Sequence, residues 1–147
     1  MVAIHTICSL LSYGAFLAAF IAGMLFLIQE RQLKRKHMGR LFHRLPSLEV
    51  LDRVNCLAIG VGFGLLSIGV AYGFIGAKVL LGRWWTDDPK EYLTVALWGS
   101  YLMLWLVRVR ATLRGRRIAL LSILGFGLVL FTFLGVNWLL PTWHTYL

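Results

Sequence analysis

The sequence predicts an all-α membrane protein with four transmembrane helices. Of its 147 residues, 59% are hydrophobic, and the mean hydropathy is +0.77. The apolar residues lie in long uncharged runs, of which three, at 6–28, 56–77 and 118–140, have 22 or 23 residues. A helix needs about 20 apolar residues to cross a bilayer. A fourth run, at 92–107, has 16 residues and predicts a helix that is short or tilted.

These runs predict a single domain over residues 1–147. We expect its helices at about 4–29, 48–81, 91–108 and 117–141. Ser47 is predicted to cap the second helix, because a serine hydroxyl at that position accepts a hydrogen bond from an unpaired backbone N–H.

Small and aromatic residues predict how two of the helices pack. In the second helix, Gly62, Gly69 and Gly73 are spaced by seven and four residues, which places them near one stripe. Such a stripe favours close approach of another helix. In the third helix the aromatic residues share one face, which is more often packing than a ligand surface. They are Trp98, Tyr101 and Trp105.

The positive charge predicts the orientation of the helices. Seven of the 15 Lys and Arg residues lie between positions 31 and 53, and five lie between Arg108 and Arg117. Cytoplasmic loops carry such an excess, so we expect both termini, and the loop between helices 2 and 3, outside a bacterial-type cytoplasmic membrane. A net charge of +9 would favour nucleic acid in a soluble protein. Here we expect Arg108 and its neighbours to meet anionic lipid head groups instead, with no nucleic-acid partner.

The predicted outward loop, at 84–92, contains two adjacent tryptophans and three of the six acidic residues. Trp and Tyr favour the membrane–water boundary, where the ring is buried and its polar atom stays hydrated. Two interpretations remain open at this point. The loop is either an aromatic belt with a solvated turn, or a flat aromatic platform for a planar, anionic ligand.

Two histidines on the side of this loop make haem a candidate ligand. His5 lies near the start of the first helix, and His144 follows the last one. Two neutral imidazoles from different helices can bind one haem iron. Arg83 and Lys90 could pair with the haem propionates, and Asn137 could orient His144 by a hydrogen bond. A single terminal histidine is usually only an interfacial polar residue, so the hypothesis depends on the pair.

Other chemistry has little support in the sequence. No Ser/His/Asp or Cys/His set indicates nucleophilic catalysis. Cys8 and Cys56 are expected near opposite faces of the membrane, too far apart for a disulfide. The sequence has no Cys-x-x-Cys-His motif, so a haem would be held non-covalently.

The segment from Arg83 to Glu91 resembles the tryptophan-rich WWD motif of the cytochrome c assembly superfamily, nearest its CcsA/HemX-like group of haem-handling membrane proteins. The resemblance covers nearly the whole chain in order. It continues at 5, 11–13, 29–31, 97–101, 114–117, 131–137 and 144–146.

This resemblance implies haem b at the outer face, beneath a loop that includes Trp84, Trp85, Asp88 and Pro89. His5 and His144 would be its axial ligands. Leu106 stands where many members carry a further, intramembrane histidine, and leucine cannot bind iron.

We therefore expect a role in haem delivery and cytochrome c assembly, as a possible component of a haem-attachment system. The expected partners are other membrane subunits and an apocytochrome c or a cytochrome on the outer face. One alternative is a haem-bearing electron-transfer subunit of a respiratory membrane complex, which Leu106 favours slightly. A second is a haem-free scaffold subunit.

Overall fold

The computed structural model describes residues 2–36, 39–110 and 116–135, and every regular element in those ranges is a helix. The elements are α1 (Val2–Lys34), α2 (Arg40–Arg44), α3 (Leu48–Leu81), α4 (Pro89–Arg110) and α5 (Arg116–Leu130), which continues as a π-helix at Phe131–Gly135. Within the described ranges, four helices are long and apolar enough to cross a membrane: α1, α3, α4 and α5 with its π-helical end. The predicted fold class is confirmed, and the chain is a multi-pass membrane protein.

The ends of α3 follow from local hydrogen bonds. The Ser47 hydroxyl accepts from the backbone N–H of Val50 at 3.4 Å, which confirms the predicted N-cap. Gly82 ends the helix with a φ of 71° and donates its N–H to Lys78 at 3.0 Å. Glycine suits this left-handed conformation because it has no Cβ.

The third membrane-spanning helix is longer than its uncharged run. α4 has 22 residues, or about 33 Å at the usual rise of an α-helix. It gains length because charged residues at both ends are helical, so it is neither as short as predicted nor required to be tilted. The predicted fourth helix extends to position 141, and its residues 136–141 lie outside the described part of the chain.

The glycine stripe of α3 packs against α1, as predicted. A Cβ on Gly62 would lie 2.5 Å from Phe16 Cε1, and a Cβ on Gly69 would lie 3.0 Å from the Ser9 hydroxyl. Gly73, the third glycine of the stripe, lies beneath the His5 ring. The two helices can therefore approach closely between positions 62 and 73 of α3 because these glycines lack side chains.

The core of the bundle is centred on Phe16 of α1. Its ring is fully buried and stacks on Tyr101 of α4, with centroids 3.6 Å apart and planes 15° apart. A Cβ on Gly125 of α5 would lie 3.2 Å from the Tyr101 hydroxyl. All four spanning helices thus meet at one aromatic pair, since Gly62 of α3 lies on the other side of Phe16.

The two tryptophans of the aromatic face of α4 pack on α3. Trp98 Nε1 donates to the Ser67 hydroxyl at 2.8 Å, and Trp105 stacks on Phe63 with centroids 6.1 Å apart. This face is therefore helix packing, in line with the sequence.

Polar side chains join the helices at the opposite end from the α3–α4 loop. Arg108 donates to both carboxylate oxygens of Asp52, at 2.7 and 2.8 Å, and its side chain is only 10% exposed. The expectation that Arg108 meets lipid head groups is therefore wrong. A half-buried carboxylate with two-point geometry holds a guanidinium better than a mobile head group outside the bundle.

A second polar contact lies one turn further into the bundle. Asn55 Nδ2 donates to the Ala19 carbonyl at 2.8 Å and lies 3.0 Å from the Ser122 hydroxyl. It therefore links α3 to α1 and to α5. We call the region formed by Asp52, Asn55, Arg108 and Ser122 the Asp52 end of the bundle.

Candidate functional site

Those predicted site residues that the structure describes lie at the other end of the bundle. We call it the loop end, and define it by His5, Gly69 and Gly73 of α3, and residues 82–92. His5 lies on α1 but faces the last third of α3, the helix that leads directly into the loop. Its Nδ1 lies 2.6 Å from the Gly69 carbonyl oxygen.

The His5 ring lies over Gly73. A Cβ at that position would be 3.1 Å from both Cε1 and Nδ1 of the ring, which is closer than ordinary van der Waals contact. A carbonyl oxygen can only accept a hydrogen bond, so the proton lies on Nδ1. In the neutral ring Nε2 then carries the lone pair, which is the form that binds a metal.

The loop folds back along α3 towards the level of His5. The Trp85 ring stacks on Phe74, with centroids 5.7 Å apart and planes 23° apart. Phe74 precedes Gly82 by eight residues, or about 12 Å along the helix. Because Phe74 directly follows Gly73, the His5 and Trp85 rings contact consecutive residues of α3, about 100° apart around its axis.

The two tryptophans of the loop differ in their surroundings. Trp85 is half-buried, because the ring of Tyr92 packs edge-on against it with centroids 5.0 Å apart. Trp84 is 58% exposed, and the Lys78 ammonium lies 5.7 Å from the centre of its ring. Trp85 therefore fixes the loop, and Trp84 presents an open aromatic surface beside a cation.

Acidic side chains of the loop hold its shape. The Glu91 carboxylate accepts from the backbone N–H of Thr86 at 2.9 Å and also from the Thr86 hydroxyl. Asp88 is 7% exposed and caps α4, since its Oδ1 accepts from the Lys90 N–H at 3.0 Å. Residues 84–92 are thus a closed hydrogen-bonded turn.

A further hydrogen bond, on the exposed surface, joins the loop to the first turn of α4. The Tyr92 hydroxyl donates to Asp87 Oδ1 at 2.9 Å, and Asp87 has a φ of 58°. With these carboxylates used inside the loop, the described residues contain no group of three or more His, Cys, Asp or Glu side chains that could hold a metal ion.

Comparison with known proteins identifies the family. Residues 1–144 match the family model described as Cytochrome C assembly protein. The chain belongs to the cytochrome c assembly protein family. The resemblance drawn from the WWD motif is therefore confirmed.

Several similar curated proteins are named cytochrome c biogenesis protein CcsA. The protein of that name from Synechococcus sp. (strain JA-2-3B'a(2-13)) is 39% identical over 105 residues, which are 71% of this chain and 30% of the relative. The Guillardia theta protein is 30% identical over 157 residues, covering 97% of this chain and 52% of the relative. The chain thus spans about a third to a half of the length of these relatives. No solved structure matches it.

The structure brings some of the predicted site residues of this family member together. His5 and Trp85 contact neighbouring positions of α3, Arg83 and Pro89 are exposed in the loop, and Lys90 is half-buried in the first turn of α4. His144 and Asn137 lie outside the described residues.

Sequence reasoning missed the residues that hold this arrangement. Glu91 and Thr86 close the loop, and Phe74 receives the Trp85 ring. The sequence does contain a signal for the start of α4. Asp88 at an N-cap, proline at the first helical position and Glu91 at the third are typical of a helix start.

Proposed function

We propose that this member of the cytochrome c assembly family holds b-type haem non-covalently at its loop end and works in haem delivery during cytochrome c assembly. The observation that carries the proposal is the state of His5. Its Nδ1 is engaged by the Gly69 carbonyl, and the described residues provide no hydrogen bond to Nε2. The free nitrogen can therefore serve as an axial ligand beside an aromatic loop.

Several residues at this end support the binding of a haem. His5 would supply one nitrogen to the iron; His144 is the proposed second ligand and Asn137 its proposed hydrogen-bond partner, and both lie outside the described residues. The exposed ring of Trp84 provides an apolar surface for the porphyrin. Cations near the boundary suit its propionates, and three lie in or beside the loop: Lys78, Arg83 and Lys90.

The remaining loop residues have supporting roles in this proposal. Trp85 anchors the loop to Phe74, while Asp88 and Pro89 begin α4 and set the direction in which the loop returns. A bound haem supplies an iron that a recipient cytochrome needs. The chain itself binds it, orients it through the histidines and keeps one face of it in an apolar environment.

We place the loop end and both termini outside the cytoplasmic membrane of a bacterial-type cell. The distribution of Lys and Arg along the sequence supports this, since seven of the 15 lie between positions 31 and 53 and five lie between positions 108 and 117. Cysteines introduced in a Cys8→Ala/Cys56→Ala background test it. An impermeant maleimide added to intact cells should label Arg83→Cys and leave Arg53→Cys unlabelled; the reverse pattern would overturn the orientation.

A haemin titration of the purified chain tests the cofactor. We expect an intense Soret band with the wild type, and an affinity at least about 100-fold lower for His5→Ala and for His144→Ala, because losing an iron ligand should cost more than the 10–100-fold effect of losing a residue that supports one. His43→Ala, on the opposite side of the membrane, is the matched control and should bind as the wild type does. Equal binding by all four proteins would contradict the proposed site.

Partners distinguish haem delivery from the electron-transfer alternative. Leu106 of α4 offers no iron ligand, so a single haem at the loop end would serve either role. Because relatives are named cytochrome c biogenesis proteins, we expect apocytochrome c and other membrane subunits of assembly to co-purify. Co-purification of multihaem or iron–sulfur subunits would favour electron transfer, and a wild-type protein with no Soret band would favour the haem-free scaffold.

A further inference from the structure

We propose that two glycines of α3 position His5 as a ligand: the Gly69 carbonyl fixes the tautomer of the imidazole, and the bare surface at Gly73 fixes its place. This rests on the haem site proposed above and extends it by giving a role to residues that bind no iron themselves. In the sequence these glycines indicate helix packing only.

The role of Gly69 follows from the distance to the ring. At 2.6 Å, its carbonyl oxygen and His5 Nδ1 are within hydrogen-bond range. Because the carbonyl has no proton to give, Nδ1 carries one, and in the neutral ring the other nitrogen then carries none. A histidine that ligates a metal usually donates its second N–H in this way, which orients the ring and strengthens it as a donor.

The role of Gly73 is steric. A Cβ there would lie 3.1 Å from Cε1 and from Nδ1 of His5, and 3.9 Å from Nε2. An added methyl group would therefore push the edge of the ring that makes the hydrogen bond, and would leave the ligating nitrogen itself unobstructed. Displacement of the ring by a few tenths of an ångström would weaken the bond to Gly69.

We call the surface of α3 formed by the Gly69 carbonyl and Gly73 the niche, and it also relates the position of His5 to that of the loop. His5 belongs to α1, but the two contacts described above are with α3. The next residue of α3 after Gly73 is Phe74, on which the Trp85 ring stacks. One turn of α3 thus sets the positions of the histidine and of the aromatic loop together. Around another glycine of the same helix, Gly76, the described residues place no atom within 4 Å of the would-be Cβ, so Gly76→Ala is a matched control.

The first experiment needs no haem. Nitrogen-15 NMR of histidine-labelled apoprotein in detergent, assigned with the His5→Ala variant, reports which ring nitrogen carries the proton. We expect a protonated Nδ1 in the wild type and in Gly76→Ala, and a mixture of tautomers in Gly73→Ala. A wild-type ring protonated on Nε2, or a Gly73→Ala spectrum identical to that of the wild type, would overturn the niche.

The second experiment uses haemin. We expect Gly73→Ala to bind it about tenfold more weakly, the lower bound of the effect of removing a partner of a metal ligand, and to shift the midpoint potential. Gly76→Ala should stay within about twofold of the wild type. Wild-type affinity and potential in Gly73→Ala would contradict the positioning role while leaving the haem site intact. No binding by the wild type would contradict the haem site, and the apoprotein spectrum would still decide the niche.

A chemical test avoids any change in α3 and any loss of folding that follows from one. In His5→Ala, added imidazole can occupy the vacated niche, donate to Gly69 and bind iron. We expect imidazole and 4-methylimidazole to restore the Soret band, and 1-methylimidazole, which has no N–H, to restore it poorly. Equal rescue by all three would overturn the role of the Gly69 carbonyl.

Discussion

The two ends of the bundle use their polar groups in opposite ways. At the Asp52 end, Arg108 and Asp52 satisfy each other, and Asn55 bonds to α1 and α5. At the loop end, the described residues give His5 one hydrogen bond, through Nδ1, and none to Nε2, while Trp84 exposes 58% of its surface.

This difference separates stability from function. In hydrocarbon, polar groups that bond across helices hold those helices together, and a buried ion pair is costly to break from one side. The Asp52 end is therefore expected to determine whether the bundle folds. We expect the loop end to contribute less to folding, and the Nε2 lone pair of His5 is the proposed ligand for a haem iron.

Breaking the ion pair of the Asp52 end should have the largest effect on stability. Asp52→Ala leaves the Arg108 charge mostly buried without its partner, so we expect a loss of about 3 kcal/mol in the free energy of unfolding, measured by SDS titration in mixed micelles. Glu49→Ala is the control on the same helix. It removes an exposed pair with Arg53, and should change stability by less than about 0.5 kcal/mol.

The same comparison predicts that haem affinity survives this change. Folded Asp52→Ala protein should bind haemin within about twofold of the wild type, because residue 52 lies at the opposite end of α3 from Gly69 and Gly73. A large drop in affinity with an intact fold would show that the two ends are coupled.

Filling the glycine stripe at its centre should have the next largest effect. A methyl group on Gly62 would clash with the buried Phe16 ring at 2.5 Å, so Gly62→Ala should lower the free energy of unfolding by about 1–3 kcal/mol. Gly64→Ala, whose new methyl group meets no atom of the described residues within 4 Å, should be neutral or slightly stabilising. Equal effects in the two variants would mean that α1 and α3 do not pack as described.

Releasing the loop should have the smallest effect on stability and a clear effect on binding. Glu91→Ala frees the N–H and the hydroxyl of Thr86 at the surface, so we expect a loss of about 1 kcal/mol together with a several-fold weaker haemin affinity. Tyr92→Phe keeps the ring against Trp85 and loses only the exposed bond to Asp87, and should change either quantity less. A Glu91→Ala protein with unchanged affinity would show that the ordered loop is not part of the site.

The features that could be predicted from the sequence are those set by periodicity and local chemistry. Long uncharged runs give the four helices, a serine before a helix gives its N-cap, and the spacing of Gly62, Gly69 and Gly73 gives the stripe along α3. Each depends on residues within a few turns of one another, so a single segment contains the whole signal.

The pairings between segments could not be predicted. Arg108 and Asp52 are 56 residues apart, and His5 and Gly69 are 64 apart, so both contacts depend on how far one helix slides along another. For this reason the charge of Arg108 predicts contact with lipid and does not predict its pairing with Asp52. The stacking of Trp85 on Phe74 could not be predicted either, because it depends on the path of the whole loop.

The most direct test of the haem site is the pyridine haemochrome spectrum of the chain purified from haem-replete cells, with His5→Ala and His43→Ala beside it. We expect about one b-type haem per chain in the wild type and in His43→Ala, and a tenth of that or less in His5→Ala. The same haem content in all three proteins, or none in the wild type, would contradict a haem ligated by His5 at the loop end.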